Sequence, residues 1–313
     1  ALTAWFGWGT LANILWAAPV ALAAEAAMLR LRGRGELPAL RDCSALVTAL
    51  LLAIALPPAS PWWLVTIGTG FAIVIAKHLY GGLGSNPFNP AMAGYVVLLI
   101  SFPLEMTRWM APAGAGVTAT LGPLEALRAS LGLLDAARLD ALTMATPLDV
   151  LRQNQSLLVA ELWARQPQFG RIGGAGWEWV NAGFLAGGLY LLARRIFTWH
   201  APVAMLGALA LMAALFYDGG SAASGGSPLF HLFTGATMFG AFFIVTDPVT
   251  SATSTRGRLI FGALIGVLVY LIRHWGNYPD AVAFSVLLMN FAAPLLDNYT
   301  QPRSYGHDRE GSA

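Results

Sequence analysis

Charged side chains are scarce in this sequence, and their scarcity excludes most classes of soluble protein. Only 11% of the 313 residues are charged, against roughly 25% in soluble domains. Apolar residues make up 57%, and the mean hydropathy is +0.61. The formal net charge of +2 does not suggest a nucleic-acid-binding surface. The composition therefore predicts an integral membrane protein in contact with membrane lipid.

Cysteine and lysine are nearly absent as well. Cys43 is the single cysteine and Lys77 is the single lysine. One thiol cannot form an intrachain disulfide, and it cannot hold a four-thiolate iron–sulfur cluster unaided. His78, His231 and His274 do not have metal-ligand spacing with cysteine or carboxylates, so we expect no metal site.

Long apolar runs are abundant, and a membrane-spanning helix needs about 20 mostly apolar residues. Nine runs qualify as candidate spans: 3–29, 44–57, 61–80, 90–103, 176–193, 200–217, 228–246, 257–274 and 278–296. The runs at 44–57 and 90–103 are short, which indicates half-helices or tilted helices. The predicted fold is all-α and membrane-embedded.

Arginine clusters at 30–34, 194–195 and 256–258 lie just beyond apolar runs. Basic residues concentrate in cytoplasmic loops, so these clusters orient the helices and put 104–175 on the extracytoplasmic side of the membrane. The predicted divisions are a first membrane repeat at 1–103, an extracytoplasmic loop or cap at 104–175, a second membrane repeat with the cofactor site at 176–300, and a cytoplasmic tail at 301–313.

Internal repetition suggests how the membrane segments are arranged. A constant shift along the chain places Pro90 on Pro279 and Thr48 on Thr237. The sequence does not begin with Met, and we expect one further span before residue 1, which makes ten spans in two halves of five. An odd number of spans in each half inverts the second half relative to the first, an architecture that uses broken helices.

The first motif is GGLGSNPFNP at 81–90, which follows Lys77 and His78. Glycines and two Asn-Pro steps force a non-helical segment. Such backbone is tolerated within a membrane only where it is buried in protein or lines a cavity. The segment is either an ordinary tight loop or a re-entrant element whose Asn86 and Asn89 bind a polar ligand.

The second motif is TGAT at 234–237, followed by the hydroxyl-rich stretch 246–251 after the same apolar run. Small residues let helices approach closely, which is one explanation for TGAT. It does not explain the second run of hydroxyl groups beside Asp247. Acids near the predicted membrane edges are interpreted as interface anchors rather than ion relays: Glu25, Asp218, Asp247, Asp280 and Asp297.

The segments KHLYGGLGSNPFNPAMAGY and HLFTGATMFGAFFIVTDPVTSATSTRGRLIFG resemble the D subunit of the Rnf electron-transport complex. The B subunit of the sodium-pumping NADH:quinone reductase shares a looser version of both. The resemblance implies an electron-transport subunit of the bacterial inner membrane, coupled to Na⁺ or H⁺ transport. It implies ferredoxin and NAD as substrates of the complex, with partners that include iron–sulfur subunits and a second flavinylated subunit.

The resemblance also implies a covalent FMN, attached by a flavin transferase through a phosphoester to the last threonine of the TGAT motif, Thr237. A second flavin, riboflavin, is expected near Asn86 and Asn89. The residues assigned to cofactor binding are Thr234, Gly235, Ala236, Thr237, Asp247, Thr250, Asn86 and Asn89. The flavin needs no catalytic residue from the chain, because the protein supplies position and environment.

One competing acceptor is present. Soluble acceptors of the transferase carry Asp six residues before the threonine, where Thr237 has His231. The stretch DALTMAT places Asp140 six residues before Thr146, but it has Met144 in place of the glycine of the motif. A bulky methionine crowds the hydroxyl, so the sequence favours Thr237. A flavin-free solute channel and a structural anchor for redox partners remain as alternatives to the redox role.

Overall fold

The computed structural model describes residues 1–33, 41–115, 120–154, 156–276, 278 and 281–300. Every regular element within these ranges is helical, with two isolated β-bridges, Met110–Thr143 and Phe169–Gly174. The all-helical prediction is confirmed for this part of the chain. The predicted tail at 301–313 and the acid Asp280 lie outside the described residues.

The helices, in chain order, are α1 Leu2–Phe6, α2 Gly9–Leu31, α3 Ser44–Ala55, α4 Trp62–Gly70, α5 Pro90–Ser101, α6 Pro103–Met106, α7 Pro123–Ser130, α8 Ala136–Leu142, α9 Pro147–Gln153, α10 Val159–Arg165, α11 Trp177–Ala193, α12 His200–Leu215, α13 Pro228–Leu232, α14 Thr237–Phe239, α15 Thr255–Trp275 and α16 Val282–Thr300. Two of them widen into π-helix: α4 continues over Phe71–Leu79 and α14 over Gly240–Ile244.

Four of these segments are long and apolar enough to cross a membrane: Gly9–Leu31, Trp62–Leu79, Thr255–Trp275 and Val282–Thr300. Three shorter apolar helices accompany them, namely α3, α5 and α12. The chain is therefore a multi-pass membrane protein by helix length and composition. The count of nine spans and the inverted five-helix repeat stay predictions.

The predicted non-helical segment after Leu79 is confirmed. Residues 80–89 contain no helix, and Asn89 caps the start of α5 by accepting a hydrogen bond from the main-chain nitrogen of Met92 at 3.1 Å. The apolar segment after residue 228 is interrupted between α13 and α14. Gly235 lies in this gap with φ of +64°, a conformation that side chains with a Cβ rarely adopt.

The described residues between 104 and 175, which we call the cap, form short helices that pack on one end of the bundle, the capped end. Main-chain hydrogen bonds join it to the start of the chain, from Ala113 to Trp5 at 2.8 Å, and to the loop at 216–227, from Val159 to Gly220 at 3.0 Å. Two apolar clusters fix it there. One includes Phe6, Met110, Leu121, Leu142 and Trp177, and the other includes Leu148, Leu151, Leu162, Phe169 and Phe230.

Candidate functional site: two cavities at opposite ends of the bundle

A partly open cavity of about 80 Å³ lies between the cap and the membrane helices. The cap contributes Thr146 to its lining, and the break between α13 and α14 contributes Thr234 and Gly235. Both sequence motifs that were considered as alternative flavin acceptors therefore border one cavity. The remaining wall is largely apolar and aromatic, including Trp177 and Phe239. Such a lining, with a few convergent polar groups, is typical of sites for small organic ligands.

Asn181 of α11 holds the broken helix in place. Its side-chain amide donates to the main-chain oxygen of Gly235 at 2.9 Å, and its oxygen accepts from the nitrogen of Met238 at 3.0 Å. The side chain is completely buried. The sequence analysis missed Asn181; a single asparagine within an apolar run was the available signal, because intramembrane polar residues find partners in the bundle.

The hydroxyl of Thr234 is also engaged, since it accepts a hydrogen bond from the main-chain nitrogen of Gly174 at 3.0 Å. This contact ties the cap to the broken helix at the edge of the cavity. A Cβ added at Gly173 would lie 3.0 Å from the Thr234 hydroxyl, so the two segments approach closely. The edge of the cavity is thus built jointly by the cap and the membrane segment.

Thr237 lies beneath the cavity and does not line it. The residue is 0% exposed. Its hydroxyl donates to the main-chain oxygen of His231, at 2.7 Å, and accepts from Nη2 of Arg273, at 3.0 Å. A phosphoester at this oxygen would require the loss of the donated hydrogen bond and space for a phosphate in a packed core.

Thr146 has the opposite setting. It is half-buried, it lines the cavity, and it caps the start of α9. Its hydroxyl donates to Oδ2 of Asp149 at 2.6 Å, so a carboxylate lies against the proton that a phosphoester bond replaces. The geometry favours Thr146 over Thr237 as the modified residue, the reverse of the order that the sequence favours, and the choice between them stays a prediction.

The loop at 216–227 places one acid near the capped end without bringing it into the cavity. The hydroxyl of Ser221 donates a hydrogen bond to the carboxylate of Asp218. This bond is the main reason that the pKa of the Asp218 carboxyl is lowered from its ordinary value. The residue is exposed, so Asp218 stays ionised at neutral pH at the surface of the bundle.

A second and larger cavity, of about 780 Å³, lies toward the other end of the same helices. Helix α3 shows the arrangement: Ile54 and Ala55 line the cavity under the cap, whereas Val47 and Thr48 line the larger one. The larger cavity has polar walls at several places. Its charged lining residues are Asp42, Lys77, Arg195, Asp247 and Arg258.

Three of the predicted site residues meet beside this larger cavity. Oδ2 of Asp247 accepts from Nδ2 of Asn89, at 3.2 Å, and from the hydroxyl of Thr250, at 2.9 Å. Asn290 of α16 completes the network: its Oδ1 accepts from the nitrogen of Asn89, at 3.0 Å, and its Nδ2 donates to the oxygen of Thr250, at 3.0 Å. Asn290 was also missed by the sequence analysis.

Asn86 lines the larger cavity but stands apart from that network. Its Nδ2 donates to the main-chain oxygen of Phe88 at 3.0 Å, and its buried Oδ1 has no hydrogen-bond partner among the described residues. Asp247 and Thr250 likewise lie apart from the TGAT motif. The half-helix from 237 to 244 carries the chain from one end of the bundle toward the other, so these residues join Asn89 instead.

The family model described as the NQR2, RnfD, RnfE family matches residues 1–306. The chain belongs to this family.

Several curated relatives are named as the D subunit of an ion-translocating oxidoreductase complex. One from Pseudomonas paraeruginosa is 63% identical over 306 residues, which cover 98% of this chain and 87% of the relative. Another, from Ectopseudomonas mendocina, is 61% identical over 312 residues, with 100% and 89% covered. One from Vibrio vulnificus is 52% identical over 326 residues, with 98% and 91% covered. The resemblance that the two motifs indicated is confirmed.

Proposed function

We propose that the chain is the D-type membrane subunit of an ion-translocating oxidoreductase complex, and that it passes electrons through a covalently bound FMN. Relatives with that subunit name align over nearly its whole length at 52–63% identity. The observation that carries the flavin proposal is the cavity under the cap, where a hydroxyl paired with a carboxylate faces an apolar and aromatic wall.

The proposed acceptor is Thr146. The hydroxyl borders the cavity, and Asp149 holds it in one orientation and accepts its hydrogen bond at 2.6 Å. Asp140 stands six residues before it, the spacing that soluble acceptors of the transferase have. Thr237, the acceptor expected from the TGAT motif, is the alternative, and it needs a rearrangement that frees its hydroxyl from the packed core.

The residues under the cap fit the planar ring of an aromatic group. The aromatic side chains Trp177 and Phe239 offer faces and edges to a planar ring, and the main chain at Gly235 is not obstructed by a side chain. FMN supplies the electron-accepting and electron-donating chemistry when it is attached. The chain's own part is to attach and orient the group, to surround it with apolar wall, and to limit its contact with water.

Peptide mass tests the proposal directly. The complex is purified from cells that contain the flavin transferase, denatured and digested, and the peptides that contain Thr146 and Thr237 are measured. The expected result is an added FMN phosphoester on the Thr146 peptide, together with flavin fluorescence that migrates with the denatured chain. Thr146→Ala should remove the fluorescence, and Thr237→Ala should retain it. Loss of the fluorescence in Thr237→Ala and its retention in Thr146→Ala would assign the site to Thr237. A chain that is unmodified and non-fluorescent would reject the redox role.

A second flavin, riboflavin, is proposed for the larger cavity. The support is its volume of about 780 Å³ and the amide and hydroxyl groups along its wall, among them Asn86 with its unused Oδ1. Flavin that is released by denaturation without proteolysis, and identified by chromatography as riboflavin, tests this assignment. Absence of any released flavin from a complex that still carries covalent FMN rejects it.

The substrates and partners follow from the family resemblance and stand as part of the proposal. We assign ferredoxin and NAD to partner subunits of the complex, along with iron–sulfur clusters and a second covalent flavin, in a bacterial inner membrane. The single cysteine supports the placement of the clusters elsewhere. Ferredoxin-dependent reduction of NAD by purified complex favours this assignment, whereas quinone reduction with NADH favours the B-type quinone-reductase subunit. A flavin-free chain favours the solute channel or the structural anchor.

A further inference from the structure

Three titratable side chains are buried together at the end of the bundle opposite the cap. Lys77 and His78 lie near the end of the π-helical segment Phe71–Leu79, and Glu25 projects from α2. Lys77 is 1% exposed and Glu25 is 3% exposed. The interpretation of Glu25 as an interface anchor is therefore wrong, because an anchor keeps its charge in water. Buried ionisable groups inside membrane bundles are costly and mark ion or substrate pathways.

Oxygen atoms surround the ammonium group of Lys77. Its Nζ donates to Oε1 and Oε2 of Glu25, at 2.8 and 2.9 Å, and to the hydroxyl of Ser44, at 2.7 Å. Nε2 of His78 lies 3.0 Å from Oε2 of Glu25, and the guanidinium of Arg32 donates to the main-chain oxygen of His78. Carboxylate and hydroxyl oxygens are also the ligands that hard metal cations prefer. The ammonium occupies a position that a small cation would occupy.

The same ammonium has space to leave this position. Lys77 and Ser44 both line the cavity of about 780 Å³, and the acids Asp42 and Asp247 line it too. If Lys77 turned into the cavity, Glu25 would be left as a buried carboxylate without its ammonium. Loss of one partner of a buried ion pair is strongly destabilising unless another positive charge replaces it. Departure of Lys77 is thus linked to arrival of a second cation.

We propose that Glu25 and Ser44 form an exchangeable site for a monovalent cation, with the ammonium of Lys77 as its resident occupant. Uptake of Na⁺ displaces Lys77 into the cavity, and return of Lys77 releases the ion. The total charge at Glu25 does not change in this exchange, while one positive charge moves into the cavity. Negative charge added to the cavity stabilises the displaced ammonium and therefore favours ion uptake.

The first test compares thermal unfolding of purified complexes in NaCl and in choline chloride at equal ionic strength. Lys77→Gln removes the resident ammonium and leaves Glu25 open to Na⁺. Its unfolding midpoint should rise by several degrees in NaCl, because a ligand that binds only the folded state stabilises it. The double variant Glu25→Gln/Lys77→Gln should show no such rise. Arg138→Gln, which removes one charge of a half-exposed ion pair, should behave as the parent does.

Equal Na⁺ dependence in the single and double variants would overturn the site. If the complex with Lys77→Gln does not assemble in NaCl or in choline chloride, the double variant is tested instead, because it keeps polar side chains and removes both charges. In vesicles, that variant should move at most half as many cations per transferred electron as the parent complex does. If the double variant moves as many cations per electron as the parent complex, the proposal is overturned. Covalent FMN is measured in the same samples, so its absence counts against the proposed function and not against the cation site.

Discussion

Arg273 of α15 donates a hydrogen bond from Nη2 to the hydroxyl of Thr237 at the start of α14, at 3.0 Å, and this bond joins two membrane segments. Its Nη1 donates to the main-chain oxygen of His231, also at 3.0 Å. That carbonyl lies in the last turn of α13, where the helix stops and the regular donors are missing. Arg273 is buried near the end of α15 and supplies donors that the broken helix lacks. The broken conformation thus depends on a residue that follows Thr237 by 36 positions in the chain.

Replacement of this arginine should destabilise the protein more than it alters the flavin. Arg273→Met removes the donor to the buried Thr237 hydroxyl and one of the two side-chain donors to the His231 carbonyl, which should lower the unfolding free energy by about 1–3 kcal/mol. Arg273→Lys should recover only part of the loss, because lysine lacks the planar fork of donors. Thermal unfolding of the purified complex measures both. Arg138→Gln is the surface control, with a change within about 0.5 kcal/mol; an equally stable Arg273→Met would contradict the assigned role.

The glycine in the break allows a matched pair of substitutions. Gly235 has φ of +64°, so Gly235→Ala should cost about 1 kcal/mol of stability through backbone strain. Gly207 lies within the α12 helix, and a Cβ added there would meet nothing within 4 Å, so Gly207→Ala should be neutral or stabilising by up to about 1 kcal/mol. Unfolding midpoints compare the two. A Gly235→Ala protein at least as stable as Gly207→Ala would show that the break does not need the left-handed conformation.

The carboxylate beside Thr146 should influence how completely the chain is flavinylated. Asp149→Asn keeps a hydrogen-bond acceptor next to the hydroxyl but removes the negative charge that can accept its proton. We expect covalent FMN per chain to fall several-fold, as measured by flavin absorbance of the denatured protein relative to peptide absorbance. Asp135→Asn, at the surface of the cap, serves as the control. Full occupancy in Asp149→Asn would remove the carboxylate from the attachment step and leave the position of Thr146 as the only support.

The network around Asn290 offers a separate test of the larger cavity. Asn290→Ala removes the acceptor for the nitrogen of Asn89 and the donor to the oxygen of Thr250. Riboflavin released by denaturation should decrease at least several-fold, while covalent FMN on the chain is unchanged, because the two cavities are lined by different residues. Asn154→Ala, which removes hydrogen bonds in the cap, is the control. A parallel loss of both flavins would indicate general misfolding instead.

Local chemistry in the sequence was enough to predict where helices break. Glycine and Asn-Pro steps predicted the non-helical segment after Leu79. These features depend on backbone preferences of adjacent residues, so they can be predicted from the sequence alone. The membrane class was likewise visible, because it depends on composition and run length.

The partners of those breaks could not be read from the sequence. Asn181 and Arg273 are far along the chain from the residues they bind, and an apolar run with one polar residue does not reveal which way that residue faces. The burial of the Thr237 hydroxyl has the same origin, because it results from packing between segments. A motif therefore identified a special stretch of chain without identifying which of its hydroxyl groups is accessible.

Helix α3 lines both cavities, so the distance between them can be estimated along this helix. Leu51 borders the larger cavity and Ile54 borders the one under the cap. Three residues along an α-helix correspond to a rise of about 4.5 Å, whereas a bilayer's hydrocarbon core is about 30 Å thick. Groups bound in the two cavities would thus be separated, at this helix, by less than one helical turn, which is thin compared with the bilayer.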